Sequence, residues 1–368
     1  MSPHYDVLSS SHLHSIPVLN HNNLQYYTNI TVGDHQKFNV VLDTGSDKLW
    51  VPSSDCHSAV CKQHHRFDES KSDTFVRSHD SMRLRYGTGQ VAGRTGQDTV
   101  SLGDLKKLEE YPIAVSTEIT EKPFSSLKPI DGIFGIGKGT KFSENEKLFS
   151  FYLSNDTKTS GSLSLGAIDK NHINPTSPIT YHPTIQPGSW TIKLVDVKVG
   201  DQRMHVCGDK GCAALIDTGS SLITGPPNDI NNILKSQGIH QTCSGYNQGP
   251  SKDITLIFQD QDGNETEYPL SSKEYSIDFQ DDAKECKLGI GPLDMGNKRW
   301  VIGDTFLRRY VSLFDKEHHR IGFVKSRHDN EDIGVLSRGV PITAGIALKS
   351  VMRTVRARTV GITFLFCN

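Results

Sequence analysis

The sequence lacks any uninterrupted apolar run of about 18 residues, the length that a membrane-spanning helix requires. It also lacks an excess of one charge. The 40 Lys and Arg stand against 42 Asp and Glu, and the net charge of −2 argues against nucleic acid as a partner. Charged residues make up only 22% of the 368 residues, whereas glycine occurs 32 times and proline 16 times. This composition excludes coiled coils and disordered chains, and it predicts a β-rich, turn-rich globular protein long enough for two domains.

The first residues lack the basic region and apolar core of a secretory signal peptide. We therefore expect either that the natural start lies upstream or that the protein stays in the cytosol. The seven cysteines favour the first alternative, because six of them fall in short or paired spacings that are typical of disulfides formed in an oxidising compartment. The pairs are Cys56 with Cys61, Cys207 with Cys212, and Cys243 with Cys286, and Cys367 is left over.

Three Asn-X-Thr triplets, at Asn29, Asn155 and Asn264, are candidate glycosylation sites. Together with the cysteine pairs they indicate the secretory pathway. We expect either a lysosome-like or vacuole-like organelle or secretion from the cell.

The sequence contains an internal repeat. Residues 40–46 read Val-Val-Leu-Asp-Thr-Gly-Ser and residues 214–220 read Ala-Leu-Ile-Asp-Thr-Gly-Ser, so that Asp43 recurs as Asp217, 174 positions later. Each copy is followed by two apolar residues and a glycine, at 133–135 and 301–303. Two matched signals in one order predict two similar lobes. We expect the lobes at residues 15–175 and 176–326, a pro-segment remnant at 1–14 and a basic and apolar extension at 327–368.

Between these signals the pattern is that of strands. Stretches of β-rich or alternating sequence, bounded by turn residues, occur at 26–32, 37–42, 82–86, 161–166 and 191–199. The Gly87-Thr88-Gly89 run after Tyr86 predicts the tip of a hairpin. One helix is predicted at 226–235, where two prolines precede apolar residues at helical spacing.

The repeated Asp-Thr-Gly-Ser has a chemical interpretation. A lone carboxylate at the end of an apolar strand is costly to bury, but a glycine turn can bring backbone amides to it and the two hydroxyls can donate. If the lobes pair about a pseudo-twofold axis, the two carboxyls meet and share one proton, because both cannot ionise at contact distance. Such a pair supplies an acid and a base at once, which suits amide hydrolysis. One copy alone could be an ordinary Asx-type turn, whereas two copies in matched context favour catalysis.

The motifs at 38–54, 86–89, 131–135, 216–226 and 300–315 resemble those of pepsin-family aspartic proteases. The resemblance covers about residues 15–326 and is nearest to the cathepsin D and protozoan plasmepsin-like branch. It implies an all-β, bilobal double β-barrel fold with pseudo-twofold symmetry and an active-site cleft between the lobes. It also implies that Asp43 and Asp217 are the catalytic pair that holds the attacking water.

The same resemblance implies roles for neighbouring residues. Ser46 and Ser220 would brace the outer oxygens of the two carboxyls, while Thr44 and Thr218 would lock the two loops together. Tyr86 resembles the flap tyrosine, which closes over substrate and hydrogen-bonds toward Trp50. The positions expected to hold the substrate backbone are Gly45, Gly87, Thr88 and Gly219, those expected to line the primary pocket are Phe124 and Ile133, and all three cysteine pairs match family disulfides.

These features predict an acid-active, monomeric aspartic endopeptidase that cleaves peptides and proteins between hydrophobic residues, needs no cofactor or metal, and is inhibited by statine-type peptides. The alternative is a pepsin-like protein that binds peptides without cutting them. This alternative arises because the connection at residues 138–148 is shorter than is usual in the family and would uncover apolar surface. The extension from Arg327 onward is expected either to lie on a membrane surface or to be unstructured.

Three rival motifs are weaker. The glycine-rich run that ends at Lys138 is followed by Gly139, not by the Ser or Thr that a P-loop requires. The glycine-rich run after Tyr86 is followed by strand-like sequence, whereas a dinucleotide fingerprint opens a helix. The cysteines and histidines at Cys56, Cys61, His64 and His65 have poor spacing for tetrahedral zinc, so we expect a disulfide beside solvated histidines.

Overall fold

The computed structural model describes residues 15–86, 89–103, 106–121, 124–140, 147–237, 252–278 and 286–328. Within these residues the chain forms 23 strands and two short α-helices, so the all-β prediction is confirmed. The predicted helix is present as α1 (Pro227–Ser236), with proline at its first position. No helix in the described part of the chain is both long and apolar enough to cross a bilayer.

The strands of the first half are β1 (Ser15–His21), β2 (Gln25–Val32), β3 (Gln36–Asp43), β4 (Leu49–Pro52), β5 (Val76–Tyr86), β6 (Gly89–Leu102), β7 (Lys106–Ile119), β8 (Gly132–Gly135), β9 (Leu148–Tyr152) and β10 (Gly161–Leu165). The elements of the second half, besides α1, are β11 (Thr180–Pro183), β12 (Thr191–Val199), β13 (Gln202–Arg203), β14 (Cys212–Ile216), β15 (Ile223–Gly225), β16 (Ile254–Gln259), β17 (Glu265–Leu270), β18 (Ser276–Asp278), β19 (Cys286–Leu288), β20 (Ile290–Pro292), β21 (Arg299–Ile302), α2 (Asp304–Leu307), β22 (Tyr310–Asp315) and β23 (Arg320–Lys325).

Thirteen of the described strands form one sheet, in the order β11-β23-β22-β9-β10-β1-β2-β3-β8-β4-β7-β6-β5. A second sheet has the order β17-β16-β12-β14-β21-β15-β20, with β13 beside β12, and β18 pairs with β19. The two halves of the chain are joined where β22 pairs with β9, with Leu313 opposite Ser150. The last of the described strands, β22 and β23, therefore complete a sheet that β1 and β2 begin.

Aromatic side chains fill the core where the two halves meet. The rings of Phe149 and Phe314 are stacked with centroids 4.8 Å apart, and the Trp190 ring lies edge-on to Phe314 at 5.1 Å. All three side chains are buried, and each contributes roughly 1.5–3 kcal/mol of hydrophobic stabilisation on transfer from water. This packing holds the halves together beneath the site described below.

Two lysines cover apolar surface beside the short connection between β8 and β9, of which residues 141–146 lie outside the described residues. The ammonium group of Lys138 lies 5.7 Å from the centroid of the Trp190 ring, and that of Lys316 lies 6.0 Å from the Phe149 ring. Their stems shield rings that would otherwise meet water. Among the described residues the exposed large apolar side chains are Val76 (65% exposed) and Ile185 (47%), and only Ile185 adjoins a partner of Lys138, namely Thr184. The apolar exposure expected from the short connection is therefore small in the part that the structure describes.

Candidate active site

Two loops of identical sequence, residues 43–46 and 217–220, follow equivalent strands and are called the dyad loops below. β3 runs parallel to β8, with Leu42 opposite Phe134, and β14 runs parallel to β21, with Ile216 opposite Ile302. A glycine at the end of β8, Gly135, and one directly after β21, Gly303, leave room for the dyad loops. A Cβ on Gly303 would lie 2.0 Å from the Ser220 carbonyl oxygen. The repeated motif and its later apolar-apolar-glycine signal thus meet in space in both halves.

Four buried hydrogen bonds connect the two dyad loops. The Thr44 N–H donates to Thr218 Oγ1 (3.1 Å), and the Thr218 N–H donates to Thr44 Oγ1 (3.0 Å). Each hydroxyl then donates across to the strand of the other half, Thr44 to the Ile216 carbonyl (2.9 Å) and Thr218 to the Leu42 carbonyl (2.6 Å). Because every bond has a counterpart in the other half, the loops are fixed about a local pseudo-twofold axis.

The two aspartates receive the same hydrogen bonds. The Gly45 N–H donates to Asp43 Oδ1 (2.8 Å), and the Ser46 hydroxyl donates to Asp43 Oδ2. The Gly219 N–H likewise donates to Asp217 Oδ1 (2.8 Å), and the Ser220 hydroxyl donates to Asp217 Oδ2 (2.6 Å). These donors hold both carboxyl groups in fixed orientations.

The two carboxyl groups lie against each other and against the opposite dyad loop. They are within hydrogen-bonding reach of each other, and both side chains are fully buried. Burial raises the pKa of Asp43. It raises the pKa of Asp217 well above its usual value, and the charge of Asp43 raises it further. A pair in this position holds one proton between two carboxyls, so it presents an acid and a base side by side.

The glycine of each dyad loop makes the close approach of the carboxyls possible. A Cβ on Gly219 would lie 2.6 Å from Asp43 Oδ1, and a Cβ on Gly45 would lie 2.8 Å from Asp217 Oδ1. Replacing Gly219 by Ala should therefore displace the Asp43 carboxyl and lower kcat for peptide hydrolysis about 100-fold, the cost of a misplacement of about 1 Å.

Gly291 provides the matched control for this prediction. A Cβ at this position would meet only Leu222 Cδ1, at 3.8 Å, so Gly291→Ala should leave kcat close to that of the wild type. Thermal unfolding of all three proteins separates lost activity from lost folding. An unchanged kcat in folded Gly219→Ala would contradict the geometric argument.

An apolar cluster flanks Asp43 in the first half. This N-side cluster comprises Val41, Trp50, Tyr86, Phe124 and Ile133. Val41 lies two residues before Asp43 on β3, so both point to the same face, and Ile133 is its neighbour on β8. The Trp50 indole N–H donates to the Tyr86 hydroxyl (2.6 Å), and the Phe124 ring packs edge-on against both rings, at 5.4 and 5.7 Å. Four residues expected in the substrate site thus come together, while Gly87 and Thr88 lie outside the described residues.

A matching cluster flanks Asp217 in the second half and was not found from the sequence. This C-side cluster comprises Leu215, Leu293, Met295 and Val301. Leu215 lies two residues before Asp217 and is opposite Val301 on β21. The repeat offset of 174 residues maps Val41 onto Leu215, so applying the offset to the pocket residues as well as to the aspartates would have located this cluster.

Two of the three predicted disulfides are formed, Cys56–Cys61 and Cys207–Cys212. The third prediction cannot be followed here because Cys243 lies outside the described residues, as does Cys367. Because Cys56 and Cys61 are joined to each other, neither supplies the thiolate that a zinc site would need.

The expectation of solvated histidines beside the first disulfide is wrong for His64. Its side chain is 3% exposed, and its Nε2 lies 3.3 Å from the carbonyl oxygen of Phe124. Burial lowers the pKa of His64. His65 is 73% exposed, as expected, and its Nδ1 contacts the Asp131 carboxylate at 2.9 Å.

Comparison with known proteins agrees with this geometry. The family model described as eukaryotic aspartyl protease matches residues 25–326. Among curated relatives, plasmepsin VIII of Plasmodium berghei is 30% identical over 330 residues, which cover 83% of this chain and 87% of the relative. Pepsin A of Suncus murinus is 30% identical over 87% of this chain and 86% of its own, and cathepsin E of Cavia porcellus is 32% identical over 83% and 82%.

The chain therefore belongs to the eukaryotic aspartyl protease family, as the sequence resemblance implied. The expected bilobal pepsin-like fold is confirmed, and the protein is an aspartic endopeptidase, a hydrolase of peptide bonds.

Proposed function

We propose that Asp43 and Asp217 are the catalytic pair and that they activate one water molecule for attack on the scissile carbonyl carbon. The ionised carboxylate accepts a proton from the water, while the protonated carboxyl donates its proton to the carbonyl oxygen. The resulting tetrahedral intermediate collapses when the carboxyl that took the proton of the water donates it to the amide nitrogen and a hydroxyl of the intermediate returns a proton to the other carboxylate. The C–N bond then breaks, which releases an amine and a carboxylic acid and restores the shared proton of the pair. The single observation that supports this proposal best is the contact between two buried carboxyls that receive equivalent donors.

We propose that the resting pair shares one proton, because burial raises the pKa of both carboxyls and two adjacent carboxylates repel each other. The carboxyl that carries the proton acts as the acid and the other acts as the base. The carboxyls are oriented by the hydroxyls of Ser46 and Ser220 and by the amides of Gly45 and Gly219. The hydrogen bonds between Thr44 and Thr218 fix the two dyad loops relative to each other.

The substrate proposed for this site is an extended peptide with hydrophobic residues on both sides of the scissile bond. The N-side cluster would receive the residue before the bond, and the C-side cluster would receive the residue after it. Support comes from the position of each cluster on the same sheet face as one aspartate. Backbone groups of Gly45 and Gly219, with Gly87 and Thr88 at the hairpin tip, would pair with the peptide as a neighbouring strand does.

We further propose the organisation in which this site lies. The lobes would be residues 15–175 and 176–326, and each contains one dyad loop with its paired strands. Residues 1–14 would be a pro-segment remnant and 327–368 an extension able to contact membranes. We propose that the enzyme is a monomer of the secretory pathway, in a lysosome-like or vacuole-like organelle or outside the cell. The two disulfides support the oxidising compartment.

The test is cleavage of a diverse peptide library by the purified protein, with and without a statine-type inhibitor. We expect cuts between two apolar residues that the inhibitor suppresses, since a statine resembles the tetrahedral intermediate. Leu215→Ala should lower kcat/KM about tenfold for peptides with a large apolar residue after the cut, and should spare those with a small one. Tight inhibitor binding with no cleavage of any peptide would favour a peptide-binding protein without catalysis.

A further inference from the structure

The hairpin formed by β5 and β6 carries four arginines, and they differ in whether they have an acidic partner. Two lie toward its base and are neutralised. The Arg77 Nε donates to Glu69 Oε2 (2.9 Å), and Arg94 contacts Asp55 (2.6 Å) and Glu69 (2.9 Å). Arg83 and Arg85 lie toward the tip and are exposed.

Neither tip arginine forms an ion pair with a carboxylate among the described residues. Their cross-strand neighbours are uncharged, since Arg83 is opposite Ala92 and Arg85 is opposite Gln90. Residues 1–326 carry 34 Lys and Arg against 39 Asp and Glu, so this local positive charge lies on an acidic body. The charge of the tip is therefore left available for a group outside the protein.

The strand register places these arginines next to the proposed peptide site. Arg85 directly precedes Tyr86, whose ring packs against Trp50 and Phe124 in the N-side cluster. Because successive side chains of a strand alternate between faces, Arg85 and Arg83 share the face opposite Tyr86. Near its end, the hairpin therefore packs Tyr86 into the N-side cluster on one face and carries Arg83 and Arg85 on the other face.

We propose that Arg85, assisted by Arg83, determines specificity by pairing with an acidic side chain of the substrate, at a position other than the two hydrophobic residues that flank the cut. A guanidinium presents a planar fork of donors that matches a carboxylate in two parallel hydrogen bonds. This proposal rests on the proposed endopeptidase function and extends it to peptides that combine an apolar cleavage site with a nearby Glu or Asp.

The experiment uses the full chain and one parent peptide with a fixed apolar pair at the cut. The parent carries Gln at every position other than this pair, and each Gln is replaced in turn by Glu. The value of kcat/KM is measured above pH 5, where Glu is ionised. At acidic pH, cysteic acid replaces Glu because its sulfonate stays charged. We expect one position at which the anionic residue raises kcat/KM about fivefold, and we expect salt to reduce this ratio.

Arg85→Gln should reduce this ratio of kcat/KM to about one, and Arg83→Gln should reduce it in part. Arg77→Gln is the matched control, because Arg77 is on the same hairpin but is already paired with Glu69. A ratio of one at every position in the wild type, or a ratio that persists in the Arg83→Gln/Arg85→Gln double variant, would overturn the proposal. Failure to cut the Gln parent would instead count against the endopeptidase function itself.

Discussion

Asp217→Asn should lower kcat for peptide cleavage about 1,000-fold or more while the protein remains folded. Asparagine has the shape of the protonated carboxyl. Its oxygen can accept from the Gly219 N–H and its NH2 group can donate to the Ser220 hydroxyl, but it can neither give up nor share a proton. The loss of general acid and base catalysis removes a factor of about 10²–10⁴, and the loss of the shared-proton pair removes more because both carboxyls act together. Asp43→Asn should have an effect of the same size.

Stability should change little in these variants. The pKa of Asp217 is raised on folding, so the folded wild type binds more protons than the unfolded chain above pH 3.8 and loses stability as pH rises from there. Asparagine removes this loss, and Asp217→Asn should unfold at the same or a higher temperature at neutral pH. Circular dichroism during heating, beside single-turnover kinetics, measures both quantities.

Asp98→Asn is the matched control for the two dyad variants. Asp98 is also fully buried, but its carboxylate accepts hydrogen bonds from the hydroxyls of Ser72 and Thr74, which are not residues of the dyad loops. This substitution should lower stability and leave kcat of the folded enzyme intact. Full activity of either purified dyad variant would eliminate the proposed mechanism.

The repeat explains why so much of the site could be predicted from the sequence. A buried carboxyl requires hydrogen-bond donors, and in the dyad loops these donors lie two and three residues after each Asp, so they form one local motif. Pseudo-twofold pairing requires this motif twice. The Trp50 and Tyr86 positions could be predicted only through the family resemblance, since 36 residues separate them and no local pattern connects them.

Contacts between distant segments could not be predicted. The pairing of β9 with β22 joins residues more than 150 positions apart and follows from the closure of the whole sheet. His64 and His182 lie in polar sequence, so nothing nearby indicates that they are buried, and each meets a carbonyl from a remote segment, Phe124 for His64 and Gln259 for His182. The C-side cluster was missed for a different reason, because the offset was applied to the chemistry of the loops and not to their apolar neighbours.

His182 lies in the core of the second half with both ring nitrogens bonded. Its Nδ1 is 2.9 Å from the Gln259 carbonyl oxygen, and its Nε2 is 2.6 Å from the Tyr268 hydroxyl. The rings of Phe258 and Phe323 pack against it at 5.8 and 5.5 Å. A neutral imidazole satisfies both bonds, since Nδ1–H donates to the carbonyl and Nε2 accepts from the hydroxyl. Burial lowers the pKa of His182 to about 4, although the Gln259 carbonyl and the Asp260 charge act in the opposite direction.

This histidine should make the fold less stable in acid. Between pH 6.5 and about 4 the unfolded chain binds a proton at His182 that the folded protein does not, so stability is complete above pH 6.5 and falls with pH through this range. The lowering of the pKa corresponds to about 3 kcal/mol of unfolding free energy. Burial raises the pKa values of Asp217 and Asp304, and these groups make the fold more stable as pH falls. The pH dependence of stability of the wild type therefore combines these two opposing contributions.

The effect of the histidine is isolated by measuring the unfolding free energy against pH for the wild type and for His182→Gln and taking the difference, because the aspartates are the same in both proteins. Glutamine can donate to the Gln259 carbonyl and accept from Tyr268 but cannot take up a proton in this range. Urea unfolding from pH 7 to pH 4 should show the wild type losing about 3 kcal/mol relative to the variant, whatever their difference at pH 7. A constant difference across this range would mean that His182 is not held neutral by its surroundings. If the loss is found, a buried histidine in the second half sets a lower pH limit on the stability of this protease.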